Sequence, residues 1–298
     1  MRKRQLFGYA TVLLAGMAIA CSGPTTTTST SNATNAVDEW PTIRLAITDV
    51  SGLEELEQNY DEFRVAIADA LDTEVEFVPV ENYTAATVAL KQGEIDLALA
   101  GPSEYVVINS RTNAVPIIAV TRPNYHSVLA IPADSAISDV LDLKGQTIAM
   151  SDIGSTSGHL GPAFLLIDAG LDPTTDVRVE MLGDDGSAEE ALKAGDVDAW
   201  GGGVRDYEER LKDDADSFTV LVEGEPLPSD IILASSSVAP SLVDTIRDRL
   251  LQQEDNLVSA LATHESKYIG STLKPALDKD YDSIRAVYEA LGQGEFVQ

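Results

Sequence analysis

From Ile43 onward, short apolar runs of strand length alternate with longer segments whose apolar residues recur at helical spacing. Ile43-Arg44-Leu45-Ala46-Ile47 has the length and β-branched content of a buried strand, and a helix is expected from Leu53 to Leu71. Residues 75–80 read as the next strand, a helix then ends at Gln92-Gly93, and Leu97-Ala98-Leu99-Ala100 follows as a strand. Further on, 146–150 is a short strand, 162–167 a helix stopped by Gly170, and 177–182 another strand. Past Pro240, Leu242, Ile246, Leu250 and Leu251, then Ile284, Val287, Tyr288 and Leu291, keep a helical period to the end of the chain. This last part is expected to pack on the first half of the fold.

The pattern repeats internally. Ala89-Leu90-Lys91-Gln92-Gly93-Glu94-Ile95-Asp96 returns as Ala191-Leu192-Lys193-Ala194-Gly195-Asp196-Val197-Asp198. Each copy reads as a helix end, a glycine stop and a strand, followed by Gly101 in one copy and Gly201-Gly202-Gly203 in the other. Two copies of strand–loop–helix–strand–loop–helix–strand imply an α/β fold of two Rossmann-like lobes with mainly parallel sheets. Thr121-Arg122-Pro123-Asn124-Tyr125 and Asp230-Ile231-Ile232-Leu233-Ala234 are expected to cross between the lobes as a two-segment hinge. The first lobe is then 41–122 plus 235–298, and the second 123–234. In such sheets ligands gather at the carboxyl ends of strands. Thr48, Asn82-Tyr83 and the loops 101–105, 155–158, 184–187 and 201–205 should therefore converge on a shared cleft.

The loop Asp152-Ile153-Gly154-Ser155-Thr156-Ser157-Gly158 stands at the centre of this arrangement, between a strand and a helix. Ser155 is a natural N-cap, and the N–H groups of Thr156, Ser157 and Gly158 would point from the positive end of the helix dipole. Such a terminus binds anions, and its hydroxyl and amide donors suit a tetrahedral oxyanion; an ordinary capped helix is the other reading. Chemistry elsewhere is sparse. His126, His159 and His264 lack ligand-like spacing, so neither metal nor cofactor is expected, and His159 is placed on an exposed helix face. Trp200 reads as core, and Arg205 as pairing with acidic neighbours such as Asp206.

Arg2-Lys3-Arg4 and the apolar stretch 6–20 form a signal peptide over 1–20, too short for a stable membrane anchor. Cys21, the only cysteine, follows Ala18-Ile19-Ala20 and is expected to be lipidated, with simple secretion as the alternative. Residues 21–40 then form a Thr/Ser-rich tether. The protein is expected outside the cytoplasm, as a monomer held at a membrane by its lipid. The net charge is −29, with 49 acidic against 20 basic residues. That balance excludes nucleic acid and anionic membrane surfaces as partners.

Asn82-Tyr83, Gly93-x-x-Asp96, Gly101-Pro102-x-x-Tyr105, Asp142-Leu143-Lys144-Gly145, Ser155-Thr156-Ser157-Gly158 with Pro162, and Pro228-Ser229-Asp230 occur in this order. Together they resemble the phosphate/phosphite/phosphonate-type substrate-binding proteins of ABC importers, which are type II, two-lobed periplasmic binding proteins. The resemblance implies a closing binder, not an enzyme, that delivers a small phosphorus oxyanion to a membrane permease. It implies that Ser155, Thr156, Ser157 and Gly158 hold the oxyanion, that Tyr83 and Tyr105 donate from the opposite lobe, and that Asp230 accepts a proton from the ligand. Two departures stand out. The family histidine before the second-lobe helix is replaced by Gly183-Asp184-Asp185-Gly186-Ser187, and the glutamate of aminophosphonate binders by Gly203-Val204-Arg205-Asp206. Inorganic or methyl-substituted oxyanions therefore rank above aminoethylphosphonate. A sensor subunit that presents its ligand to a membrane kinase is the alternative. An exported serine hydrolase or phosphatase is less favoured, since Ser155 lacks a nucleophile elbow.

Overall fold

The computed structural model describes residues 42–50, 52–212 and 217–297. Cys21, the signal peptide and the tether lie outside them. Among the described residues no helix is long and apolar enough to cross a membrane.

The first lobe starts as a strand–helix alternation: β1 (Ile43–Ile47), α1 (Leu53–Leu71), β2 (Val75–Phe77), α2 (Tyr83–Gln92), β3 (Leu97–Ala100), α3 (Pro102–Thr112) and β4 (Val115–Val120). The second contains β5 (Ser127–Pro132), β6 (Thr147–Met150), α4 (Gly161–Asp168), β7 (Arg178–Met181), α5 (Asp185–Ala194), β8 (Ala199–Gly203), the single turn α6 (Val204–Asp206) and β9 (Phe218–Glu223). The chain then returns through β10 (Asp230–Ala234), α7 (Pro240–Gln252), α8 (Glu254–His264), β11 (Leu273–Pro275) and α9 (Asp282–Ala290).

The two sheets are built alike. The first runs β11-β4-β10-β3-β1-β2 and the second β7-β6-β8-β5-β9. In each, a first strand lies between two parallel partners, β1 between β2 and β3 and β6 between β7 and β8. An antiparallel strand follows in each sheet, β10 beside β3 and β5 beside β8. The apolar face of α1 packs with α7 and α8 into one core of the first lobe, through Leu56, Phe63, Ile67, Ile246, Leu250 and Leu257. α9 packs differently, against α3 of the first lobe and α4 of the second.

The internal repeat has a structural cause. Gly93 and Gly195 end α2 and α5 in the left-handed region, at φ 69° and 74°, where a β-carbon is strained. Their N–H groups close the helices on the carbonyls of Ala89 and Leu90, and of Ala191 and Leu192. The aspartate three residues on then clamps the first strand of its lobe. Asp96 Oδ2 accepts from the Arg44 N–H and Nε, both at 2.9 Å, and Asp198 Oδ2 accepts from the Thr147 N–H at 2.8 Å. The chain turns from helix to strand here, and the carboxylate sets the register beside β1 or β6.

The return crossing differs from expectation. Asp230–Ala234 is not a crossing but a fully buried strand of the first sheet, hydrogen-bonded between β3 and β4. The crossing is 224–229, where Pro226 and Pro228 have no N–H to give a sheet ladder. The second lobe therefore ends near Glu223, not at 234. The outward crossing lies at 121–126, as the sequence suggests.

Asp96→Ala removes charge-assisted hydrogen bonds to a strand edge that is only partly open to water. It should lower stability by about 2 kcal/mol, read as a melting-point drop of roughly 4–8 °C. An unchanged midpoint would show that β1 is placed by packing alone.

Candidate functional site

Parallel strands deliver the start of the following helix at their carboxyl ends, and here two such starts face each other. After β3, Gly101 leads into α3 with Pro102 in its first turn. After β6, Ser155 caps a wide turn, Thr156–Leu160, that runs on into α4. Thr156 Oγ1 donates to Ser103 Oγ at 2.9 Å and accepts from the Ser103 N–H at 3.2 Å. The two lobes thus touch through paired helix N-termini, where the positive ends of both dipoles converge.

The opening turn has wide, five-residue geometry: the Leu160 N–H reaches the Ser155 carbonyl and the Gly161 N–H the Thr156 carbonyl. Ser155 Oγ accepts from the Gly158 N–H at 3.1 Å, so its hydroxyl is used as the cap. The Thr156 and Ser157 N–H groups lie in the first turn, which has no intrahelical acceptor for them. Gly158 is required by close approach: a β-carbon would stand 1.9 Å from Ser151 Oγ and 2.9 Å from Asp185 Oδ1. Asp185, the first residue of α5, therefore stands beside this helix start.

His159 differs from its expected exposed position. It is buried, and its Nδ1 accepts from the Gly154 N–H at 3.0 Å, tying the loop to the helix it precedes. Burial holds its imidazole below the ordinary value, which keeps Nδ1 free to accept.

A chain of polar groups runs from this turn along the hinge side. Burial pushes the Tyr125 phenol up, opposed by the Arg122 charge and by hydrogen bonding with Ser157 and Thr156. The Arg122 guanidinium lies 3.7 Å over the Tyr125 ring, and its Nη1 is 3.6 Å from Asp230 Oδ1. Asp230 is buried, and its Oδ2 accepts from the Tyr268 hydroxyl at 2.8 Å. Beyond Tyr268, Lys267 Nζ meets Asp49 Oδ2 at 2.5 Å. Burial works against the Asp49 charge, but Lys267 outweighs it and keeps the carboxyl below its usual value. Glu104, bonded to the Thr48 hydroxyl and the Gly101 N–H, is pushed up to about 7 by burial and by the charge of Asp49.

Of the residues expected at the site, the fold thus joins Thr156, Ser157 and Asp230 in one polar network, with Ser155 and Gly158 shaping the turn. Tyr83 opens α2, and its hydroxyl is 3.8 Å from the point a Gly154 β-carbon would occupy, so it faces the same loop from the other lobe. Tyr105 is placed elsewhere. It is fully buried, donates to Asp278 Oδ1 at 2.8 Å and packs on Tyr281 with ring centroids 4.6 Å apart. The face of α3 toward the other lobe carries Ser103, and Tyr105 lies two residues further round the helix. Arg205 pairs with an acidic neighbour as expected, Glu209 at 2.7 Å in place of Asp206, and Trp200 is core. Ser103, Glu104, Arg122, Tyr125, Lys267 and Tyr268 were not singled out from sequence. Ser103 and Glu104 fell within the loop 101–105 expected at the cleft, and Arg122 and Tyr125 within the outward crossing. Among the described residues no group of His, Cys, Asp or Glu is placed to hold a metal ion.

A pH test follows from His159. The unfolded imidazole, ordinarily near 6.5, takes up its proton before the folded one as pH falls. The stability that His159 contributes is thus complete above that pH and is lost in the window below it. Glu104 and Glu189, both raised to about 7, act in the opposite sense and lose their contribution as pH rises through that value. The difference between wild type and His159→Asn isolates the histidine. Unfolding measured between about pH 7.5 and 5.5 should show a shallower acid loss in the variant, and identical slopes would refute the buried-acceptor role.

A family model described as ABC transporter, phosphonate, periplasmic substrate-binding protein matches residues 46–281. The phosphate-import protein PhnD of Mycolicibacterium smegmatis is 25% identical over 98% of both chains. Among solved structures, PhnD1 from Prochlorococcus marinus in complex with methylphosphonate superposes with a TM-score of 0.65 at 18% identity, covering 85% of this chain and 98% of that one. XAC2383 from Xanthomonas citri, bound to ATP, gives 0.70 at 15% identity, covering 86% and 98%. Sharing the fold with these structures, and matched by the family model over most of its length, the chain belongs to the periplasmic substrate-binding proteins of phosphonate ABC transporters, which are binding components and not enzymes.

Proposed function

We propose that the protein captures a small phosphorus oxyanion, either phosphate, phosphite or a simple phosphonate, and hands it to an ABC permease, tethered meanwhile by a lipid on Cys21. The observation that carries this reading is the junction of the Thr156–Ser157 helix start with Ser103 of the opposite lobe, beside a buried Asp230. Two helix N-termini stabilise negative charge, and the hydroxyls supply directional donors to a tetrahedral centre. The hinge segments 121–126 and 224–229 allow the lobes to part for entry and close on the ligand. The M. smegmatis relative carries phosphate import in its name and the P. marinus neighbour holds methylphosphonate, which supports the phosphorus class.

Asp230 sharpens the ligand choice. A carboxylate facing an anion that offers only acceptor oxygens repels it, whereas a ligand P–OH would form a short charge-assisted hydrogen bond. A thermal-shift and calorimetry screen of phosphate, phosphite, methylphosphonate, aminoethylphosphonate, sulfate and arsenate should show sulfate rejected. Asp230→Asn should weaken the preferred ligand and narrow its margin over sulfate. Wild-type binding of sulfate as tight as any phosphorus oxyanion would discard this selectivity.

The donors can be tested apart from the fold. Ser155→Ala, Thr156→Ala and Ser157→Ala should all weaken oxyanion binding. For Ser157→Ala the loss should be about 1.5–3 kcal/mol of binding energy, the worth of a hydrogen bond to a charged group. Ser155→Ala additionally removes the cap and about 1 kcal/mol of stability. Equal losses of affinity and stability in the Ser157 variant would leave the loop as a plain helix start.

A further inference from the structure

We infer that Arg122 is a ligand-binding residue, pairing with the anionic oxygen of the same tetrahedral group whose hydroxyl is read by Asp230. The inference deepens the oxyanion reading above and rests on it.

Arg122 is held in place from three sides. Its backbone lies in the outward crossing just after Thr121, whose N–H and hydroxyl bond the Thr272 carbonyl at 3.0 and 3.2 Å. Its guanidinium carbon lies 3.7 Å from the centroid of the Tyr125 ring, a cation–π contact that holds the head group over that ring. The phenol of that same tyrosine lies near enough to Ser157 and Thr156 for both to act on its ionisation, which places the stack close to the helix start proposed to hold the oxyanion.

What the pair lacks is as informative as what it has. The Arg122 side chain is 21% exposed, and its only ionic partner among the described residues is Asp230. The contact, at 3.6 Å between Nη1 and Oδ1, is an ion pair too long for a hydrogen bond. Among the described residues no hydrogen-bond partner is assigned to Asp230 Oδ1, although the residue is 3% exposed. The other carboxylate oxygen is committed to Tyr268, so Asp230 cannot turn toward Arg122 without breaking that bond. A half-buried guanidinium and a buried carboxylate oxygen thus face each other with no hydrogen bond between them. A self-sufficient structural ion pair would instead close to a bidentate fork.

One chemical group meets both needs at once. It must accept from the guanidinium and donate to Oδ1, from neighbouring atoms on a single centre. A monoprotonated oxyanion does this, with one charged oxygen toward Arg122 and one hydroxyl toward Asp230. The second cation of the network, Lys267, does not compete for the role, because Asp49 already holds it at 2.5 Å. Arg122 then supplies the charge that makes an anion welcome next to a carboxylate. Asp230 supplies the discrimination against anions without a proton, and the two act on one ligand as a matched donor and acceptor.

The test measures affinity for inorganic phosphate and methylphosphonate by calorimetry, and melting temperature without ligand, for the full chain and three variants. Arg122→Gln should bind at least about 30-fold more weakly. Arg122→Lys keeps the charge but not the planar fork, and should fall between that variant and wild type. The Arg122→Gln/Asp230→Asn double variant separates contact from charge balance, because it leaves no buried unpaired carboxylate. Its melting temperature should recover toward wild type while its affinity stays low. Recovery of affinity together with stability, or wild-type affinity in Arg122→Gln, would reduce Arg122 to a structural counter-ion and overturn the inference alone. If wild type binds neither anion nor any other phosphorus oxyanion of the screen, the functional reading itself fails and the inference falls with it.

Discussion

The inter-lobe face depends on one constraint, the parallel pairing of β1 with β3 and of β6 with β8. Parallel strands oblige the chain to return by a crossover, so every loop that follows a strand emerges at the same edge of its sheet. In the first lobe that edge carries Thr48, Asp49 and the start of α3; in the second, the turn from Ser155 and the start of α5. Because the lobes meet at these edges, polar loop residues and helix N-termini come together, and apolar strand interiors do not. The contact between Thr156 and Ser103 is the point where the two sets join.

The Asp96 and Asp198 clamps keep those edges in register. Each follows a helix closed by a left-handed glycine, and each fixes the beginning of the strand that ends at the site. A strand displaced by one residue would turn Thr48 or Ser151 to the opposite face of its sheet. The repeat therefore records a folding requirement.

Charge is distributed unevenly between exterior and cleft. The chain carries 49 acidic residues against 20 basic ones, yet two of those cations, Arg122 and Lys267, belong to the network behind the helix starts. Buried ion pairs gain little net stability against the cost of desolvating both partners. Glu104, pushed up to about 7 close to Asp49, shows how strongly this enclosed region penalises an additional negative charge. An incoming anion meets the same penalty unless donors and cations answer it.

Periodicity alone placed the strand–helix alternation, the two copies and the helical character of the C-terminal part, because burying one face of each element is a local demand written at spacings of two or three to four residues. The N-cap at Ser155 and the glycine stops at 93 and 195 were legible for the same reason: they satisfy backbone groups within a few residues. The shared motifs pointed to the family that the family model confirms. The direction of each side chain was settled only in three dimensions. Tyr105 and Ser103 are two residues apart on α3, yet Tyr105 turns to Asp278 and Tyr281 while Ser103 reaches Thr156. His159 is drawn inside by the Gly154 N–H, and Lys267 meets Asp49 across 218 positions of sequence. Asp230–Ala234 became a central strand because β3 and β4 left room between them for a run that is apolar on both faces. Local pattern fixes what an element must bury, but the partner that buries it comes from distant chain, and only the packed structure brings that partner into place.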